Sequence, residues 1–262
     1  MANKYLARED APITSDTWGV LDAAMIGTAK AQLVGRRLLH IEGPFGIGLK
    51  GVPLQDVEDK SGLITSSFVP LSLVQKTFAI GMRDLAAYER DGTALDTSAV
   101  GEAAIECARL EDNLIFNGTA ATPGLLTVKG TNQLNLSAWD EVGAAAEDII
   151  KAMTTLDTAG FHGPYSLALA PSLYNLLFRR YERGNFSEME HVKTMATEGI
   201  FKAPILKAGG VLLASGRQYA SIVLGQDMTI GFIGPAGDEL EFSISESLVP
   251  LIRQPKSICV LK

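Results

Sequence analysis

The stretch that decides the architecture is residues 51–80, which read GVPLQDVEDKSGLITSSFVPLSLVQKTFAI. Apolar and polar residues alternate along it, as in β-strands, and almost nothing in it favours a helix. A turn sequence at Asp59-Lys60-Ser61-Gly62 divides it into the two arms of a long hairpin. Because an isolated two-stranded hairpin is marginal in water, these arms must lie on another surface, either of their own domain or of another subunit.

A helix is predicted on the amino-terminal side of the hairpin. Thr14 can cap its start, and apolar residues then recur at helical spacing down one face. Gly35 and the polar pair Arg36-Arg37 are expected to end it. A short strand follows over residues 38–42 and runs into a glycine-rich turn.

Helices and strands are both predicted after the hairpin, in a mixed order. The helices are expected from Ser98 to Asn117, from Ser137 to about Thr158 and from Pro171 to about Tyr181, with a polar loop over 182–198. The strands are expected over 165–170, 210–214, 220–224, 229–232, 240–244 and 258–261. With no repeat or linker in the sequence, these pieces predict one interwoven α+β unit.

The composition limits how many domains the chain can form and which partners it can bind. The chain has 262 residues, 47% of them hydrophobic and 20% charged, which is enough for one large domain or two modest ones. Its net charge of −7 and the absence of a Lys/Arg-rich arm argue against a nucleic-acid partner, because phosphates require a basic surface.

The sequence favours a cytoplasmic protein with no membrane segment. Met1–Asp10 is charged and lacks the apolar core of a secretion signal. The long uncharged stretch Gly163–Phe178 is interrupted by two prolines and is too short to span a bilayer. Cys107 and Cys259 stand in apolar contexts and are expected to be small buried side chains.

A search for catalytic or metal-binding patterns finds none that predicts an enzyme. His40, His162 and His191 are not spaced with a second His or Cys as metal ligands are. The helical carboxylates around residue 106 lack the Glu-x-x-His pairs of a di-iron site. A phosphate-binding loop, a Gly-x-Ser-x-Gly elbow and a dinucleotide fingerprint are also missing. We therefore expect no catalytic residue, no metal and no cofactor.

Several short motifs together resemble one family. Residues 32–46 read QLVGRRLLHIEGPFG, which is similar to the signature QLxGRxxxxxEGPxG of encapsulin shell proteins. Further matching words are Glu89-Arg90, EDNLIFNG at 111–118, Gly163-Pro164-Tyr165, LGQD at 224–227, Ile230-Gly231 and the closing residues 258–262. The resemblance extends over essentially the whole chain.

This resemblance implies the HK97 phage-capsid fold, with a peripheral (P) domain, an axial (A) domain and an extended loop (E-loop). The implied parts are 1–50 for the N-terminal helix and start of the P-domain, 51–80 for the E-loop, 81–134 for the P-domain with its spine helix, 135–219 for the A-domain, and 220–262 for strands returning to the P-domain. It also implies a homo-oligomer of about sixty copies, the smallest (T=1) icosahedral shell, closed by one repeated heterologous contact.

The family resemblance further implies a groove that captures the C-terminal targeting peptide of a cargo protein, a ferritin-like iron-storage protein or a dye-decolorising peroxidase. By position, the residues that line it are Ala29, Leu33, Arg36, His40, Ile41 and Ile230. The apolar members would hold aliphatic residues of the peptide, and Arg36 would bind a carboxylate or carbonyl. The family often has an acidic residue where His40 stands.

The resemblance also implies a pore at the five-fold axis, built by the loop Gly184–His191. Its residues are Asn185, Phe186, Ser187, Glu188, Met189, Glu190 and His191, a polar and partly acidic ring suited to cations such as Fe²⁺. An ordinary surface loop is the alternative. Some family members bind flavin on a tryptophan after the E-loop, but Arg83 stands at the matching position, so no flavin is expected.

Two alternatives to a cargo-loading shell stay open from the sequence. A phage major capsid protein would share the fold, and the acidic net charge argues against it. A bacteriocin-like or protease-like enzyme would need a nucleophile, and no single residue stands out as one.

Overall fold

The computed structural model describes residues 4–58, 60–182 and 184–262, which form two compact units. Unit 1 comprises Met1–Leu33, Gly43–Glu111 and Leu224–Leu248, and unit 2 comprises Val34–Glu42, Asp112–Val223 and Val249–Lys262.

Helices and strands alternate irregularly along the described chain. The α-helices are α1 (Ser15–Gln32), α2 (Gly35–Leu38), α3 (Met82–Asp91), α4 (Ser98–Asn117), α5 (Ala144–Thr158), α6 (Pro171–Leu176) and α7 (Glu188–Met195). The strands are β1 (His40–Glu42), β2 (Gly51–Pro53), β3 (Val57–Glu58), β4 (Ile64–Thr65), β5 (Phe68–Pro70), β6 (Ser72–Gly81), β7 (Asn132–Leu134), β8 (Tyr165–Leu169), β9 (Gly199–Lys202), β10 (Gly210–Ala214), β11 (Ala220–Ala236), β12 (Glu239–Ile252) and β13 (Ile258–Leu261). Short 3₁₀ turns lie at Lys4–Leu6, Arg8–Asp10 and Pro255–Ser257.

Unit 1 is built on the antiparallel pair β6–β12, whose register runs from Gly81 opposite Glu239 to Ser72 opposite Leu248. An aromatic cluster fills its core. Phe242 stacks on Phe78 with ring centroids 5.3 Å apart and meets the edge of Trp18 at 5.6 Å. Aromatic pairs of this kind add to the free energy that area burial alone contributes.

The start of α1 is fixed as the sequence predicts, with Thr14 as its N-cap. The Thr14 hydroxyl accepts a hydrogen bond from the Thr17 backbone N–H. Glu89 of α3 adds a second acceptor, taking hydrogen bonds from the Thr14 N–H at 2.8 Å and the Thr17 hydroxyl at 2.7 Å. These bonds lower the pKa of Glu89.

Unit 2 contains a five-stranded sheet in the order β7-β13-β10-β8-β9. Strand β10 is antiparallel to both β8 and β13, whereas β8–β9 and β13–β7 are parallel. Ile149 and Leu156 of α5, Val192 of α7, Leu167 of β8 and Leu212 of β10 are fully buried together in its core. Among the described residues, a four-stranded sheet has the order β1-β11-β12-β6.

Three predicted helix boundaries are wrong, each for a local reason. The first helix ends at Gln32, because the Asp112 carboxylate takes the Val34 and Gly35 N–H groups and a new short helix, α2, starts there. The third begins at Ala144 rather than Ser137, because buried Asp148 binds Ser137 and draws that segment back onto α5.

The helix after Pro171 ends at Leu176 rather than near Tyr181, and the expected polar loop 182–198 contains helix α7. The signal for α7 was present in the sequence. Ser187 and Glu190 form a capping box, the reciprocal pair that starts many helices.

The strands after residue 210 are fewer and longer than predicted. Segments 220–224 and 229–232 are one strand, β11, and 240–244 lies inside β12. Strand β13 pairs with β10 and β7 of unit 2, so the end of the predicted segment 220–262 joins the sheet that contains much of 135–219. The predicted domain boundaries stay predictions.

The two cysteine side chains are buried as expected. Burial raises the pKa of Cys107 to about 12 and that of Cys259 to about 11, so both are neutral thiols at pH 7. Within residues 4–58, 60–182 and 184–262, no helix combines the length and apolar character needed to cross a bilayer.

Candidate functional site

The hairpin predicted from residues 51–80 forms, but only its first twenty residues stand apart. Strand β2 pairs antiparallel with β5, and β3 pairs with β4, so residues 51–70 are an isolated two-stranded ribbon that we call the extended hairpin. Residues 72–81 leave it and pair with β12 in the core sheet of unit 1. The predicted turn includes Asp59, which lies outside the described residues.

The extended hairpin carries large apolar side chains that stay in water. Leu63 and Ile64 are 67% and 68% exposed. Leu54, Val57 and Phe68 are also exposed. A ribbon of two strands cannot bury both of its faces by itself. An exposed apolar surface of this kind is typical of a protein–protein interface.

Two of the matching sequence motifs meet in unit 2. The Asp112 carboxylate accepts hydrogen bonds from the Val34 N–H at 3.1 Å and the Gly35 N–H at 2.8 Å. Gly35 lies so close to Ile115 that a Cβ at this position would overlap the isoleucine side chain. This contact explains why glycine and aspartate stand at these positions, and it fixes the start of α2 at Gly35, directly before Arg36.

Glu42 ties the end of strand β1 to the chain near residue 253. Its carboxylate accepts hydrogen bonds from Arg217 at 2.9 Å and Arg253 at 2.7 Å. Burial raises the pKa of Glu42, but hydrogen bonds from Ser221, Arg217 and Arg253 outweigh it and lower that pKa to about 2. Glu42 is therefore ionised at any ordinary pH and holds two arginines in place.

Of the predicted groove residues, three lie in unit 1 and are buried. Ala29 and Leu33 pack with Ala108 and the half-buried Met228. Ile230 is fully buried, and its carbonyl accepts a hydrogen bond from Arg8. These three side chains are buried in unit 1, and their part in a peptide groove stays a prediction.

The other three predicted groove residues lie in unit 2 and are accessible. Arg36 is half-buried on α2, and His40 and Ile41 are exposed on strand β1. Strand β1 pairs in parallel with β11 through His40–Ser221 and Ile41–Ile222, and it is the outer strand of its sheet. An exposed edge strand offers backbone groups as well as side chains to an extended peptide.

The predicted pore loop is divided between exposed and buried side chains. Asn185 and Phe186 are exposed, and the Glu190 carboxylate accepts from the Ser187 N–H at 2.6 Å in the capping box. His191 is half-buried, with its Nδ1 2.9 Å from the Tyr181 hydroxyl.

Two of the residues predicted to form the pore, Glu188 and Met189, are buried, and their part in a pore stays a prediction. Glu188 is fully buried, and its Oε1 accepts from the backbone N–H groups of Gly143 at 2.9 Å and Ala146 at 3.1 Å. Its Oε2 lies 3.6 Å from Arg179. A carboxylate here satisfies free N–H groups at the positive end of α5, so its role is to hold the loop.

Comparison with known proteins identifies the family. A family model described as "Encapsulating protein for peroxidase" matches residues 3–249. The chain is 30% identical over 276 residues to the type 1 encapsulin shell protein EncA of Myxococcus xanthus, covering 98% of this chain and 96% of that protein. The chain belongs to the encapsulin shell protein family.

Other encapsulin relatives are fusions. The chain is 31% identical to a diheme-cytochrome-encapsulin shell fusion protein of Kuenenia stuttgartiensis, covering 95% of this chain and 74% of that protein. It is 28% identical to a ferritin-like-encapsulin shell fusion protein of Pyrococcus furiosus, covering 78% of this chain and 56% of that protein.

Solved structures confirm the α+β, HK97-type fold expected for an encapsulin. A virus-like particle from Pyrococcus furiosus superposes with a TM-score of 0.75 at 24% identity, covering 92% of this chain and 98% of that one. The capsid of Myoviridae phage XM1 superposes with a TM-score of 0.62 at 14% identity, covering 85% and 88%. The family model and the similarity to EncA show that this encapsulin is a structural shell subunit, and they favour that reading over the alternatives.

Sequence reasoning missed the partners of this encapsulin's motif residues. Glu42 lies in the recognised motif, but Arg253 is 211 residues away in the chain and belongs to no motif. The buried role of Glu188 could have been inferred, because it follows an N-cap serine and alternates with the exposed Glu190.

Proposed function

We propose that this encapsulin self-assembles into an icosahedral T=1 shell of about sixty copies in the cytoplasm, and that the extended hairpin supplies the decisive contact. The single observation that supports this is the exposure of Val57, Leu63, Ile64 and Phe68 on a two-stranded ribbon. Full burial of each such side chain contributes about 1.5–3 kcal/mol, so covering the hairpin in a neighbouring copy would favour assembly by several kcal/mol per subunit.

The shell is proposed to enclose a cargo enzyme through that enzyme's C-terminal targeting peptide. The family description supports a peroxidase as cargo, and the ferritin-like fusion relative supports an iron-storage protein. Arg36, His40 and Ile41 are the accessible members of the predicted groove and would meet the peptide first. Ala29, Leu33 and Ile230 are the buried members of the predicted set.

The loop 184–191 is proposed to line a pore through which small cations reach the cargo. Asn185 and Phe186 are exposed, and so is Glu190, which contributes a carboxylate that is already bound within the capping box. In this role the assembled chains enclose the cargo and admit small cations, and they carry out no reaction themselves.

The mass of purified particles tests the assembly proposal. Sixty copies of a 27.9 kDa chain give about 1.7 MDa, which mass photometry resolves from a monomer or dimer. Particles of about this mass support the proposal, whereas a monodisperse monomer at high concentration contradicts it.

Co-expression tests the cargo proposal separately. A candidate peroxidase or ferritin-like protein from the same organism is produced with and without its C-terminal segment. Loading that depends on this segment and is lost in Ile41→Asp shells supports the proposal. Loading that ignores both changes contradicts it while leaving shell assembly standing.

A further inference from the structure

Unit 1 contains an apolar cavity that none of the proposed shell functions uses. It has a volume of about 450 Å³ and is lined by α3, the segment just before α1 and the hairpin of β11 and β12. These lining residues all belong to unit 1, so one compact unit of one chain forms the cavity. Cavities of about 300–1,000 Å³ with mainly apolar walls and a few polar groups are typical of small-molecule sites.

Helix α3 supplies one wall of the cavity from a single face. Met82, Leu85, Ala86 and Glu89 line the cavity, and their spacing places them on one side of the helix. Leu85 is buried, whereas Met82 and Ala86 are exposed. This face therefore presents apolar side chains, followed by one carboxylate in the last turn of the helix.

The hairpin of β11 and β12 supplies a second apolar wall, which includes Phe232, Pro235 and Leu240. The half-buried Phe232 ring packs against Phe242 with centroids 5.6 Å apart, which restricts its movement. An aromatic ring attracts a cation that lies over its face, because the ring quadrupole is negative there.

Two carboxylates, those of Asp10 and Glu89, also line the cavity. Glu89 accepts hydrogen bonds from the Thr14 N–H at 2.8 Å and the Thr17 hydroxyl at 2.7 Å, and these bonds lower its pKa. Glu89 is therefore ionised at neutral pH. Both bonds end on Oε1, and because a carboxylate has about four lone-pair sites, Glu89 can still meet a further donor.

The arginines close to these carboxylates in the sequence are not part of the cavity lining. Arg8 pairs with Asp22 at 2.7 Å, and Arg90 pairs with Asp91 at 2.6 Å. Arg83 follows Met82 on α3 but does not line the cavity. Among the described residues, the lining thus carries two carboxylates and no lysine or arginine, so its charge favours a cation.

We propose that this cavity binds a small organic cation with an apolar body, meaning an ammonium group attached to an aromatic or alkyl group. The apolar walls would hold the body, and Asp10 and Glu89 would pair with the ammonium group. A bare metal ion fits the lining less well, because Ca²⁺ takes six to eight oxygen ligands and the other lining side chains are apolar. The site does not require that the shell carry cargo.

Isothermal titration calorimetry of the purified full-length protein, in the form in which it assembles, tests the proposal with benzyltrimethylammonium. Saturable binding near one cation per subunit is expected. Benzyl alcohol has a similar ring without the charge, and tetramethylammonium has the charge without the ring. Each should bind about tenfold more weakly or worse. Absence of saturable binding, or equal binding of either control compound, would overturn the proposal.

Two variants test the location of the site. Ala86 is exposed on α3, so Ala86→Phe should leave the helix intact, fill the cavity and weaken binding about tenfold or more. Asp10→Asn removes one lining charge and should weaken binding about fivefold, because a close ion pair near a protein surface contributes on this scale.

Glu9→Gln is the matched control, because it removes the same charge from the adjacent exposed residue, which does not line this cavity. It should change the affinity less than about twofold, since exposed charges farther from the ligand are screened. Unchanged binding in Ala86→Phe, or equal losses in Glu9→Gln and Asp10→Asn, would overturn the proposal.

Discussion

The carboxylate of Asp112 accepts a hydrogen bond from the backbone N–H of Gly35 at 2.8 Å, which joins two sequence motifs 77 residues apart. The same carboxylate binds the Val34 N–H, so one buried side chain stops α1 from continuing and starts α2. The position of α2, which carries Arg36 and Arg37, thus depends on Asp112 of helix α4.

Replacing Asp112 should therefore lower the free energy of unfolding by more than the loss of one hydrogen bond would. Asp112→Ala leaves two buried N–H groups without their acceptor and should destabilise the protein by about 3 kcal/mol, while Asp112→Asn keeps one acceptor and should cost less. Thermal unfolding at one fixed subunit concentration measures this, because assembly shifts apparent stability. The exposed Asp140→Ala is the control, and equal midpoints for Asp112→Ala and Asp140→Ala would contradict this role.

The pH dependence of stability should report on Glu42. Its pKa of about 2 in the folded chain lies below the ordinary value of 4.5, so its contribution is present above pH 4.5 and is lost as the pH falls through 2. The shift corresponds to about 3 kcal/mol. Unfolding midpoints of wild type and Glu42→Gln should differ most above pH 5 and converge near pH 2. A gap of the same size at pH 2.5 and pH 6 is the result that would sink this assignment.

Ile41 and Ile230 should respond differently to the same substitution. Ile230 is fully buried, so Ile230→Asp places an unpaired charge in the core and should destabilise unit 1 by about 4 kcal/mol or more. Ile41 is exposed, so Ile41→Asp should assemble normally and lose cargo. Particle yield and the cargo-to-shell ratio on denaturing gels measure the two effects, and normal particles from Ile230→Asp would show that its burial is misassigned.

Glu188 and Glu190 offer a matched pair within the pore loop. Glu188→Ala leaves the Gly143 and Ala146 N–H groups at the start of α5 unsatisfied and should cost about 3 kcal/mol. Glu190→Ala removes only one side of an exposed capping box and should cost much less. Thermal unfolding distinguishes them, and a larger loss in Glu190→Ala would mean that the buried carboxylate does not hold the loop.

Local signals in the sequence predicted much of the fold. The cap at Thr14, the helix from Ser98 to Asn117 and the paired hairpin arms all depend on neighbours in the chain, and all are observed. The boundaries that failed depend on distant partners. Nothing near Ser137 indicates that Asp148 will bind it, and nothing near Val34 indicates Asp112.

The candidate sites were harder to predict than the fold, since a motif does not say which way its side chains point. Leu33 and Ile41 both belong to the predicted groove, yet one is buried and the other exposed. Glu188 and Glu190 are two residues apart, and a helical turn sends one into the core and leaves the other in water.

The extended hairpin gives the most direct test of shell assembly. Pro53 and Phe68 are paired across its base, so residues 54–67 can be replaced by an Asn-Gly turn that closes the shortened ribbon without stretching it. Mass photometry of this variant should show small, folded species where wild type gives particles of about 1.7 MDa. Particles of wild-type mass from the shortened chain would contradict the account.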